Sequence, residues 1–145
     1  MVFLRWQSPT ATARGSHPGV FGLANGLARD NKLGLADRLW WRWANDVLDR
    51  SYPDPAQADP SLFDRARHPV TSCWFRDTAV DLLAWLPGYL DLLDRHGVAW
   101  QRLRSADPGV ILYADAVQIV VRPYRHQEQN SVAPPAASAQ NRSNG

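Results

Sequence analysis

The sequence is short of several things that would narrow its role. Cys73 is the single cysteine in 145 residues, so no internal disulfide can form, and a reducing, cytoplasmic setting is expected. No apolar run approaches the roughly 18 residues of a membrane span. The opening Met-Val-Phe-Leu-Arg-Trp-Gln-Ser-Pro lacks the basic-then-apolar order of a secretory signal. Lysine and glutamate occur once each, as Lys32 and Glu128, and the formal net charge is only +2. So small an excess does not announce a nucleic-acid binder, and nucleic acid ranks low among the expected partners. A Gly-rich phosphate loop, a Gly-x-Ser-x-Gly elbow and a catalytic-triad order are all missing. His17, His68, His96 and His126 are scattered without a metal-ligand spacing. No metal, cofactor or catalytic residue is therefore expected.

What is abundant is arginine, together with seven tryptophans. Arginine's planar, permanently charged fork suits carboxylates and phosphates, although GC-rich coding also favours it over lysine. Val2–Trp6 alternates weakly and predicts an edge strand, and residues 7–17 a loop. Pro18 suits the first turn of a helix carrying Val20, Phe21, Ala24, Leu27 and Ala28. Gly22 and Gly26, one turn apart, offer a place for close approach. Ala36–Arg50 is the clearest amphipathic helix, with Leu39, Trp40, Trp43, Ala44, Val47 and Leu48 as its apolar stripe and Trp41 on the border. Helical spacing places these tryptophans in the core. Three prolines between residues 51 and 62 predict a surface loop.

Val70–Arg76 reads as a strand, with Asp77 a cap for the helix that follows. Pro87-Gly88 should kink that helix or divide it, and His96-Gly97 should stop it. Val98–Arg104 then leads to two β-branched runs, Val110–Ala114 and Val117–Val121, flanking Asp115-Ala116. Pairing Ala114 with Val117 sets Leu112 opposite Ile119 and Val110 opposite Val121, a wholly apolar face that must be buried. The sum is a single α+β domain over residues 1–125. It has three to four helices packed on a four-stranded, mostly antiparallel sheet that ends in a three-strand meander. Residues 126–145 read as a disordered polar tail.

The meander defines a candidate binding face. If Arg104 pairs near Gly109, then Trp100, Arg102 and Arg104 join Tyr113, Gln118 and Arg122 on one surface, with Leu103 turned to the apolar side. Trp74 lies in the preceding strand, and Arg76 sits at a strand-to-helix junction where the free N–H groups of the helix start can add to anion binding. Such a face suits a phosphate or carboxylate attached to a flat ring. A solvated sheet face is the plainer alternative. Cys73, with His68 or His96 as base, is the one nucleophile to weigh, yet a lone cysteine in an apolar strand is usually inert.

One further pattern combines Trp74-Phe75-Arg76, the leucine-rich helix ending in His96-Gly97, Arg104-Ser105, and Pro108-Gly109-x-Ile111-x-Tyr113-x-Asp115-x-x-Gln118-Ile119-Val120. Over roughly residues 17–122 it resembles a family of small uncharacterised actinobacterial proteins, some of them on plasmids and other mobile elements. The resemblance implies an accessory protein of plasmid spread or conjugative transfer. It supplies no activity, so no catalytic residues transfer. With no catalytic signature and a surplus of tryptophan and arginine, the chain reads as a non-enzymatic, soluble, cytoplasmic protein that binds another macromolecule, most simply a protein. The alternative is an enzyme or binding protein for a nucleotide-like or phosphorylated small molecule. Oligomeric state is not legible.

Overall fold

Val2, Phe3 and Leu4 are apolar on both side-chain parities, which suits a strand covered on both faces rather than an edge. The structure, a computed structural model that describes residues 1–124, places the strand accordingly. β1 (Phe3–Gln7) lies inside a five-stranded antiparallel sheet with β2 (Ser72–Arg76), β3 (Gln101–Ser105), β4 (Gly109–Ala114) and β5 (Gln118–Pro123), in the order β3-β1-β2-β5-β4. The expectation of an edge strand at Val2–Trp6 is thus corrected, and the sheet has five strands instead of four. The expected tail at 126–145, and residue 125, lie outside the described residues.

β4 and β5 form the expected hairpin, in a different register. Ala114 pairs with Ile119 and Tyr113 with Val120. An irregularity between Ile111 and Tyr113 then shifts the ladder, so that Ile111 faces Val121. The cause is Asp115, whose Oδ1 accepts from the N–H of Val117 at 2.9 Å and of Gln118 at 3.0 Å, closing a four-residue loop, 115–118, between the paired Ala114 and Ile119. Leu112 falls at the irregularity and is only half-buried, whereas Ile119 and Val121 are fully buried.

β3 does not ladder with β4. All five of its residues pair with β1, from Phe3↔Ser105 to Gln7↔Gln101. The alternating ladders leave β3 and β4 running the same way, and parallel neighbours cannot be joined by the three residues 106–108. The C-terminal strands nevertheless follow one another round the sheet. Four residue steps from Ser105 to Gly109 reach about 14 Å, while flat neighbours spaced about 4.8 Å apart would hold the outer strands about 19 Å apart. The sheet therefore curls towards closure. Its concave side holds a second apolar cluster of strand residues, Phe3, Trp74, Leu103, Ile119 and Val121.

The convex side carries the helices. α1 (Val20–Arg29), α2 (Leu35–Ser51), α4 (Val80–Leu83) and α5 (Leu86–Arg95) bury Ala24, Ala44, Leu48, Leu82, Tyr89 and Leu92 around Phe75; α3 (Pro55–Ala58) is a single turn in the connection that follows α2. Pro87 opens α5 at a position where its missing N–H is harmless, so the expected interruption is two short helices. Gly97, at φ +68°, ends α5 as expected. Asp77 does not cap α4, whose N-cap is Ala79; the backbone N–H of Asp77 instead donates to Val2. The proline-rich stretch is more ordered than expected, because Asp54 and Asp59 cap α3 and a 3-10 turn (Pro60–Phe63), each with proline at its start. The close approach lies at Gly88, where a Cβ would come within 2.4 Å of the Trp40 ring, and not at Gly22 or Gly26.

α2 is rotated relative to its expected stripe. Ala44 and Leu48 are buried, but Leu39 is 60% and Trp43 55% exposed. Trp41 donates to Asn25 Oδ1 at 2.9 Å and so turns inward. The amino end of α2 is tied to the end of α5 through Asp37, which accepts from Arg95 at 2.8 Å and contacts His96 Nε2 at 3.0 Å. These contacts, His96 foremost, hold the Asp37 carboxyl below its usual range. A depressed carboxyl stabilises the fold above its unfolded value, near about 3.9, and loses that contribution as pH falls through the lower folded value. Asp37→Asn is thus expected to lower stability at pH 7 by no more than about 1 kcal/mol. Urea midpoints for variant and parent should converge below about pH 4, and a constant gap across that range would contradict the assignment. Among the described residues no helix is long and apolar enough to cross a membrane.

Candidate functional site

The eight residues of the expected binding face are dispersed by the topology. Trp74 fills the concave core, with its indole N–H on Ser72 Oγ at 3.2 Å. Trp100 is buried against the helices and donates to Asp94 at 2.8 Å. Arg102 and Arg104 alternate with buried Leu103 as expected, but on β3, at the far edge from Tyr113, Gln118 and Arg122. Arg102 packs over the Trp6 ring at 5.9 Å, and Arg122 is exposed opposite Val110.

Arg76, Tyr113 and Gln118 do meet, around the hairpin loop. Arg76 Nε donates to the Asp115 carbonyl at 2.7 Å, while Tyr113 Oη and Gln118 Nε2 donate to Asp115 Oδ2 at 2.7 and 3.2 Å. The hydrogen bond to Asp115 pushes the Tyr113 phenol up to about 12. These bonds close the loop, and Gln118 Nε2 also ties it to the Pro53 carbonyl at 3.1 Å, so the cluster reads as a structural lock. Gln118 borders a hollow of about 280 Å³ that Asn25, Asn45, Asp49 and Asp54 also line.

A stronger site lies where β1 and β2 separate. β1 and β2 pair only at Phe3↔Arg76 and Leu4↔Phe75, then part. Arg5 occupies the parting. It is 7% exposed, and its guanidinium donates from Nε to Gln7 Oε1 at 2.6 Å, from Nη1 to the Cys73 carbonyl at 2.8 Å and from Nη2 to the His17 carbonyl at 2.6 Å. All three acceptors are neutral, and no carboxylate pairs with Arg5 among the described residues. Burial without a counter-charge pushes its pKa down to about 10, so it stays cationic at neutral pH while bearing the desolvation cost. Two of the five guanidinium N–H donors remain, one on each Nη.

The amino end of α1 sits beside it. Gly19 bridges back to Gln7, and a Cβ on Gly19 would lie 3.3 Å from Arg5 Nη1, so glycine lets helix and guanidinium approach. α1 has no side-chain cap and no acidic residue in its first turn. Its N-terminal N–H groups carry partial positive charge, which repels Arg5 and would be relieved by an anion. Both groups line an open cleft of about 560 Å³, with Ser16, His17, Ser72 and Arg65 around it and Phe21, Phe63 and Phe75 as apolar wall. His17 Nδ1 lies 3.0 Å from the Ser8 carbonyl, which can only accept; Nδ1 therefore carries hydrogen and Nε2 is left for other contacts. Cys73 borders the cleft, but burial pushes its thiol up, the opposite of an activated nucleophile. His96 is held at Asp37, away from it. Among the described residues, no aspartate or glutamate lines the cleft.

Compared with family models, curated proteins and solved structures, the chain matches none of them. The reading of function accordingly rests on the cleft.

One signal in the sequence pointed there. Arg5 shares its strand parity with Phe3, so a central β1 makes it a buried charge. The remaining members, Gly19, Ser16, Arg65 and Ser72, come from three separate segments, and only the fold brings them together.

Proposed function

We propose that this chain is a non-catalytic binding protein for a phosphorylated small molecule, whose phosphate lies against Arg5 and the amino end of α1. The observation that supports this best is a buried guanidinium satisfied only by neutral acceptors, in a cleft without carboxylates. Such a site gains from a dianion through charge-assisted hydrogen bonds. The apolar wall at Phe21 and Phe63 gives a flat ring something to cover. Catalysis has less support, since the one thiol at hand is held protonated.

The test is thermal unfolding with adenosine 5′-monophosphate or inorganic phosphate against sodium chloride of matched ionic strength. A ligand at about a hundred times its dissociation constant should add about 2.7 kcal/mol of stability. No shift beyond the salt control, with either compound at millimolar concentration, would sink the reading.

A second reading, an accessory protein of plasmid transfer that docks on a protein partner, is supported by one feature. Leu35, Leu39 and Trp43 form an exposed stripe along α2, and Trp43 packs edge-on against Trp85 at 5.1 Å. The double variant Leu39→Ser, Trp43→Ser should then lose its partner while keeping any anion response; a partner retained by that variant would end this second reading.

A further inference from the structure

We infer that the ligand of the cleft is an organic bisphosphate: one phosphate on Arg5, a flat ring on Phe63, and a second phosphate between Arg14 and Arg65. This rests on the anion-binding reading above and specifies its ligand.

The cleft is not a single chamber. A smaller cavity of about 170 Å³ adjoins it, and the two share Ser16, Phe63, Arg65 and Thr71. Arg5 borders only the larger; Arg14 and His68 border only the smaller. Like the first, the smaller cavity has no aspartate or glutamate in its wall among the described residues. Neither Arg14 nor Arg65 has a salt-bridge partner among the described residues, although aspartates supply most of the chain's acid. His68 adds unused polar capacity, its Nδ1 being buried without a hydrogen-bond partner. Buried polar groups left in that state are rare and call for an explanation. Arg5, Arg14 and Arg65 thus place three cationic groups along the two walls, with no carboxylate among the residues that line them. A monophosphate on Arg5 in the larger cavity would leave Arg14, which borders only the smaller, without an anion.

The partition between cavities constrains the ligand's shape. Phe63 is 44% exposed and belongs to both walls, so it stands at the passage from one to the other. An exposed aromatic face there suits a planar group, since stacking is tolerant of which ring is offered. Ser16 and Thr71 are shared by the two walls as well. A molecule with a phosphate at either end of a ring-bearing scaffold uses every one of these features. A single phosphate, or a pyrophosphate with both charges at one end, uses half of them. With the first phosphate docked, the second meets Arg14 and Arg65 at a high effective concentration, so the gain exceeds that of one isolated contact.

The experiment is isothermal titration of the full chain with adenosine 3′,5′-bisphosphate, adenosine 5′-monophosphate and adenosine 3′-monophosphate, at one ionic strength. The bisphosphate is expected to bind about tenfold or more tighter than either monophosphate. Arg14→Ser, at an exposed residue that borders only the smaller cavity, should remove that advantage and bring the bisphosphate's affinity down to that of adenosine 5′-monophosphate. Equal affinities for all three compounds, or an advantage that survives Arg14→Ser, would overturn the second phosphate site while the anion site at Arg5 stands. Binding of none of them would overturn both.

Discussion

Arg5→Met is expected to abolish phosphate-induced stabilisation and to destabilise the chain by about 2–5 kcal/mol. The two effects have separate causes. Methionine fills the space of the side-chain stem but cannot satisfy Gln7 Oε1 or the carbonyls of Cys73 and His17, which are left in a buried setting. Offsetting this, the unpaired charge disappears, and with it the repulsion against α1. The hydrogen bonds should outweigh the repulsion, because three acceptors are involved and each bond to a charged donor contributes about 1.5–3 kcal/mol. Arg5→Lys is the informative companion. It retains the cation but offers a point charge in place of a fork reaching three acceptors in three directions. Lysine should recover part of the anion response and little of the stability. Equilibrium denaturation gives the first quantity and phosphate titration the second. An Arg5→Met chain that still responds to phosphate would place the anion elsewhere.

Tyr89→Ala should cost about 3–5 kcal/mol, the range for deleting a fully buried aromatic side chain. Tyr89 joins three helices to one another. Its ring meets Phe21 of α1 edge-on at 4.8 Å and Trp40 of α2 at 5.0 Å, while its hydroxyl donates to Asn45 Oδ1. Asn45 Nδ2 in turn donates to Asn25, which also accepts from Trp41. Burial, with Asp49 nearby, raises the phenol's pKa, so it remains a donor across the whole working pH range. Tyr89→Phe separates ring from hydroxyl and should cost about 1 kcal/mol. For a chain of this size about 2–4 °C of melting temperature accompanies each kcal/mol. If the alanine variant melted within a degree or two of the parent, Tyr89 would not be the keystone of the helical layer.

The elements were largely legible in the sequence, and their neighbours were not. Helix periodicity located α1, α2 and α5, and Pro87 and Gly97 marked breaks that the backbone makes. β-Branched runs located the hairpin. What pattern alone cannot show is which strand lies beside which. The alternation of Arg102, Leu103 and Arg104 is the same whether β3 ladders with β4 or with β1. Consecutive strands pair often enough that β4 is the expected neighbour of β3. The actual arrangement places the arginine-bearing strand at an edge, where charge discourages unwanted pairing. The same limit explains the binding cleft. Arg5 carried a signal only once β1 was known to be central, and no local pattern connects it to Arg65 or to the start of α1.

The three successive residues Ile119, Val120 and Val121 of β5 are all fully buried, because the strand is greasy towards both the inside of the curl and the helices. A strand of that kind has little to lose by sliding one position along its neighbour, since one valine or isoleucine merely takes the place of another. Its registration must therefore come from outside the hydrophobic pattern, and the Asp115 carboxylate, clasping the amides of Val117 and Gln118, acts as the pawl that stops the slide.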